Sequence, residues 1–106
     1  PTVGRVWFGR DASQLNRSLG ETQAGLEHSV TLTNLQPGTR YAYAIGHGDT
    51  RLATGSDYYV QTAPASGSTQ PFRIWALADF GFPGDRQTQT YQAYRNATAT
   101  RPADLW

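Results

Sequence analysis

Polar and apolar positions alternate with a period of two through most of the first sixty residues. In Val3–Gly9, Val6 and Phe8 fall on one side and Arg5 and Trp7 on the other, the pattern of a half-buried strand ending at Gly9. Asp11–Gly25 is rich in Ser, Asn, Gln and Gly, with Leu15 and Leu19 as its anchors, and reads as a loop holding one short edge strand. Glu27–Leu35 alternates again, with Val30 and Leu32 opposed to Ser29, Thr31 and Thr33, and predicts another strand. Asn34–Thr39 is a turn. Pro37 presets φ for its first central position and Gly38 accepts positive φ at the second. Tyr41, Tyr43 and Ile45 alternate with Ala42 and Ala44, Gly46–Thr50 reads as a hairpin loop, and Ser56–Thr62 as the last strand of the group.

The pattern then changes. The run over 64–71 holds Pro64, Pro71 and small polar residues without periodicity, the composition of a linker. Phe72–Ala78 is apolar on both faces, as a strand buried between two layers requires, and stops at Asp79 and Gly81. Ligands of such sheets lie beyond the carboxyl ends of the strands, so Asp79 stands where a functional carboxylate belongs and equally where a turn cap belongs. Phe82–Asp85 reads as a turn with Asp85 as N-cap, Arg86–Thr100 as a helix ended by Pro102, and Ala103–Trp106 as the start of a second buried strand. The expected organisation is a β domain over 1–63, a linker over 64–71 and an α/β unit over 72–106.

Composition narrows the chemistry. The net charge is +1, and the nine cations, all arginine, are scattered, which argues against a nucleic-acid surface. No apolar run approaches the about 20 residues of a membrane span. Cysteine is absent, which removes disulfides and zinc-thiolate sites from consideration. Two sequons, Asn16-Arg17-Ser18 and Asn96-Ala97-Thr98, are compatible with secretion. The chain opens on Pro1 without an initiator, as a processed product, an excised domain or a part of something longer does. His28 reads as an exposed sheet residue and His47 as a loop residue. Trp7, Trp75 and the tyrosines read as core aromatics. The Asp79-Phe80-Gly81 triplet is not a kinase magnesium motif, because the chain has no lysine to pair with it.

Leu35-Gln36-Pro37-Gly38-Thr39-Arg40-Tyr41-Ala42-Tyr43 resembles the corner between the fifth and sixth strands of fibronectin type III domains. There a leucine enters the core and a tyrosine, here Tyr41, bonds back to the corner backbone. Thr62-Ala63-Pro64, the linker and the strand closing on Ala78-Asp79-Phe80-Gly81 together resemble the purple acid phosphatases and related calcineurin-like metallophosphoesterases. The resemblance implies a mainly β fold: a partial fibronectin type III or Ig-like β-sandwich lacking its first strands, followed by the first strand–helix unit of an α/β metallophosphatase domain. It implies a secreted hydrolase that cleaves a phosphate ester with a two-metal centre, iron paired with zinc, manganese or iron. Asp79 carries over as the one metal ligand, with Ala78 in place of the family's glycine. The family's remaining motifs, Gly-Asp-x-x-Tyr, Gly-Asn-His and two later histidine motifs, do not occur in these residues, so the chain alone is expected to be catalytically incompetent, with no catalytic residue of its own. The rival expectation is a non-catalytic adhesion or assembly module that self-associates through exposed sheet edges.

Overall fold

A computed structural model describes residues 1–78 and 84–104 of the chain. The chain divides into two compact units, Pro1–Gly67 and Ser68–Trp106. The first is mainly β; the second carries the single helix found among the described residues.

Five strands make one antiparallel sheet: β1 (Gly4–Gly9), β2 (Arg17–Gly20), β3 (Arg40–His47), β4 (Thr50–Ala53) and β5 (Tyr59–Gln61). The order is β2-β1-β3-β4, and β5 also pairs with β3. The longest strand, β3, therefore pairs with β1 along one edge and shares the other between β5 at Arg40–Ala42 and β4 at Ile45–His47. Register puts Phe8 across from Tyr43, and Val6 across from both Ile45 and Leu19, which assembles one apolar face from the alternation seen in sequence. Phe8 is 1% exposed and Tyr41 4% exposed on that face. The opposite face sets Trp7 beside the small Ala44, its cross-strand partner. The register shifts between Ile45 and Gly46, and a Cβ on Gly46 would collide with the Thr50 carbonyl, so the bulge requires glycine. Arg5 reaches from β1 to the β3–β4 turn, donating to the Gly48 carbonyl at 3.0 Å and to Asp49 Oδ1 at 2.9 Å.

The Pro37–Gly38 corner forms as its residues predict. Gly38 takes φ 57 and donates its N–H to the Ala63 carbonyl at 2.7 Å. The Gln36 N–H donates to the Tyr41 hydroxyl at 2.9 Å. Thr62 completes the knot: its Oγ1 accepts from the Thr39 N–H at 2.8 Å and donates to the Gln36 carbonyl at 2.6 Å. One tyrosine and one threonine thus satisfy corner groups that no ladder reaches.

Several expectations are corrected. Glu27–Leu35 forms no strand. Its alternation survives in burial, with Val30, Leu32 and Leu35 half-buried and Ser29, Thr31 and Thr33 exposed. Its backbone, however, is tied by side chains: Glu21 accepts from the Ser29 N–H, and Arg17 donates to the carbonyls of Thr33 and Asn34. The loop read over Gly46–Thr50 is shorter than expected: β3 runs on to His47, and Thr50 opens the strand Thr50–Ala53.

In the second unit Phe72–Ala78 carries only an isolated bridge at Ile74. Phe72, Ile74 and Leu77 are exposed, Ile74 to 65%. A strand apolar on both faces needs two covering layers, and the described residues of this unit offer one helix. That helix, α1, runs Asp85–Ala97 and ends a turn earlier than Thr100. Thr98 closes it, donating through both N–H and Oγ1 to the Tyr94 carbonyl. Asp85 is not the N-cap: Gly84 occupies that position at φ 149 without a side-chain cap, and Asp85 is the first helical residue. Its charge there still complements the positive end of the helix dipole.

Replacing Tyr41 with phenylalanine leaves the Gln36 N–H without its partner while keeping the ring. We expect Tyr41→Phe to lower unfolding free energy by about 1–2 kcal/mol in urea titrations followed by circular dichroism. Tyr58→Phe, whose hydroxyl accepts no such bond, should cost clearly less.

Candidate functional site

Asp79, the candidate metal ligand, lies outside the described residues, as do Phe80 and Gly81. The residues on either side show how its segment is held. The Arg73 N–H donates to Asp104 Oδ2 at 2.8 Å, and the Asp104 N–H returns to the Arg73 carbonyl at 2.9 Å. The Arg73 side chain donates to the Arg101 carbonyl, and the Arg101 side chain to the Pro71 carbonyl, both at 2.6 Å. Arg101 also stands 3.9 Å from the Asp104 carboxylate. These reciprocal bonds clasp residues 71–73 to residues 101–104.

Packing completes the clasp. Trp75 stacks on Tyr94 of α1 with ring centroids 3.9 Å apart and planes 11° from parallel. The buried Tyr94 hydroxyl accepts the Ala103 N–H at 3.0 Å. Helix, leading segment and following segment are thereby joined through one aromatic pair. Beside it lies an open cleft of about 620 Å³ walled by Ile74, Trp75, Ala93 and Tyr94.

The acidic residues described nearest Asp79 in sequence have other engagements. Asp104 is committed to Arg73, Asp85 begins the helix, and no group of three or more His, Cys, Asp or Glu side chains among the described residues could hold a metal ion. Asp104 was read in sequence only as part of a strand start. Its pairing with Arg73 joins residues 31 positions apart, a contact that no local spacing announces.

The two histidines belong to the first unit. His47 ends β3, opposite Thr50. His28 is not a strand residue: its Nδ1 donates to Glu21 Oε2 at 2.6 Å, and its Nε2 lies 3.2 Å from Thr2 Oγ1. A carboxylate only accepts, so the proton is fixed on Nδ1. Glu21 Oε2 also accepts the Gly4 N–H at 2.9 Å, and Oε1 the Ser29 N–H at 2.7 Å. Hydroxyl, imidazole and carboxylate stand in line here, but the carboxylate is occupied in joining the start of β1 to the His28–Ser29 segment through three hydrogen bonds. The Ser29 N–H first, then His28 and the Gly4 N–H, hold the Glu21 carboxyl below its ordinary value of 4.5.

The fold is a small antiparallel sheet unit followed by a unit in which one helix is clasped to the segments on either side of it, the class of a mainly β domain followed by a second compact unit. Residues 4–72, well over half of the chain, match the family described as purple acid phosphatase, N-terminal domain, and the chain belongs to that family. No curated protein and no solved structure matches it. Among the described residues no helix is long and apolar enough to cross a membrane.

Because the folded Glu21 carboxyl is the stronger acid, the unfolded chain binds the proton more readily, and Glu21 stabilises the fold above about pH 4.5. That contribution is lost as pH falls through the lowered folded value. Urea midpoints measured from neutral pH down to about pH 3 should fall less steeply in Glu21→Gln than in the parent chain, with Asp11, lowered by Ser13, sustaining the remaining slope.

Proposed function

We propose that this chain is the N-terminal part of a secreted, metal-dependent phosphomonoesterase. In this reading the sheet unit is a partial fibronectin-like β-sandwich, and residues 72–106 begin a calcineurin-like metallophosphatase domain. The observation that carries the proposal is the family match over residues 4–72, which runs directly into the segment ending Ala78-Asp79-Phe80-Gly81. The Arg73–Asp104 clasp supports it, since it sets the segment leading to Asp79 beside the one that follows α1. Asp79 is the proposed ligand. A pair of ions about 3.5–4 Å apart clamps a phosphate ester and lowers the pKa of a bound water. Iron with zinc, manganese or iron would be held by Asp79 together with motifs of a longer protein; among the described residues no group of three or more His, Cys, Asp or Glu side chains could hold a metal ion. The sheet unit supports that domain and takes no part in the reaction.

The test uses the parent reading frame continued beyond Trp106. The full-length protein should contain two metal ions per chain and hydrolyse p-nitrophenyl phosphate, and Asp79→Asn should lose metal and activity together. A continuation without Gly-Asp-x-x-Tyr and histidine motifs, or a protein free of metal, would overturn the reading.

A second reading rests on a separate observation. All four residues of the edge strand β2 are exposed, as are Leu19, Ile45 and Val60, which register places on the Phe8 face. Such an edge and face suit an assembly module that completes its sheet with another copy. Sedimentation equilibrium on the 106-residue chain decides it: concentration-dependent dimers support the module, and a cooperatively folding monomer refutes it.

A further inference from the structure

The loop after β1 turns back on the sheet and encloses a second cleft, of about 300 Å³, far in sequence from Asp79. Gly9 permits this, because a Cβ there would collide with the Gln14 carbonyl. Arg17 fixes the other wall by donating to the Thr33 and Asn34 carbonyls at 3.0 and 3.3 Å while lying 4.5 Å over the Phe8 ring. Asn34 sits at φ 56, the sole non-glycine residue with positive φ among those described.

Arg17 and Asp11 are hydrogen-bonded within this cleft, and its carboxamides are not. Gln14, Asn16, Asn34 and Gln36 line it, and none of their side-chain amides makes a hydrogen bond to a described residue. Arg10 makes neither an ion pair nor a hydrogen bond to a described residue, and its guanidinium rests 5.8 Å from the Tyr41 ring centroid. Asp11 is pinned by the Ser13 N–H at 2.8 Å and the Ser13 hydroxyl at 2.7 Å, and so stands ionised with acceptor capacity left over. Two guanidiniums and one carboxylate leave the site with one positive charge.

We infer that this cleft binds a monosaccharide-sized, hydroxylated ligand bearing one negative charge, of the uronic acid class. Carboxamides and a carboxylate match ring hydroxyls, which both donate and accept. A free guanidinium matches a single carboxylate in a planar, two-bond arrangement. The volume is at the small end of ligand sites, about 300 Å³, which excludes a longer oligosaccharide held entirely within it. The inference is independent of the phosphatase reading, since it uses none of residues 72–106.

The test is an NMR titration of the 106-residue chain with three probes: glucuronate, glucose and inorganic phosphate. Glucuronate should saturate in the millimolar range and shift the amide resonances of Arg10, Gln14, Asn16 and Asn34. Glucose should bind at least about tenfold more weakly, as should glucuronate to Arg10→Ala, a difference of about 1.4 kcal/mol. Asn34→Gly keeps the positive-φ backbone but removes the amide, and should weaken glucuronate while leaving the spectrum of the sheet unchanged. Equal binding of glucose and glucuronate would overturn the inference. So would saturation by phosphate at the same concentration, which marks an adventitious ion only, or shifts confined to other surfaces.

Discussion

The bond from the Gln36 N–H to the Tyr41 hydroxyl is the constraint on which the sheet unit depends. Tyr41 has its ring on the apolar face and its hydroxyl at the corner, so one side chain sets both the depth of β3 and the path of the loop that precedes it. Thr62 repeats the logic from β5, bonding Gln36 and Thr39 at once. Because β3 pairs with β1, β4 and β5, fixing its start fixes the register of most of the sheet. The corner works where a ladder cannot, since a polar backbone turning at a sheet end has no neighbouring strand to bond.

Arginine does much of the remaining work. Arg17 covers the Phe8 ring and holds the loop carbonyls, Arg5 closes the β3–β4 turn, Arg40 lies 3.5 Å over Tyr59, and Arg5 and Arg51 both flank Trp7. A guanidinium can stack on a ring and still donate at its rim, which makes it suited to covering aromatic sheet residues. Small differences of this kind matter in a single-sheet unit, where little apolar area is fully removed from water.

The second unit uses the same economy. The stacked Trp75–Tyr94 pair and the crossed bonds of Arg73, Arg101 and Asp104 hold two segments and one helix together. Among the described residues Phe72, Ile74 and Leu77 stay exposed. The functional proposal rests on the family match over residues 4–72, with the Arg73–Asp104 clasp beside it.

Local sequence determined the strands β1 and β3, the Pro37–Gly38 corner with Tyr41 bonding back to it, and the existence of α1. Each rests on short-range facts: period-two alternation, a φ preset by proline, a turn needing glycine, a helical run after Gly84. Only the tertiary structure decided that Glu27–Leu35 makes no strand, since alternation states which side chains face inward and not whether a partner edge is free. It alone decided that Thr50–Ala53 is a strand, because a bulge at Gly46 brings that short segment into register. The Glu21 hub, the Arg73–Asp104 clasp and the cleft of uncommitted amides join residues distant in sequence, so no spacing could announce them. The role proposed for Asp79 is also non-local in kind, because a single carboxylate becomes a metal ligand only when other chain segments bring the rest of the ligands to it.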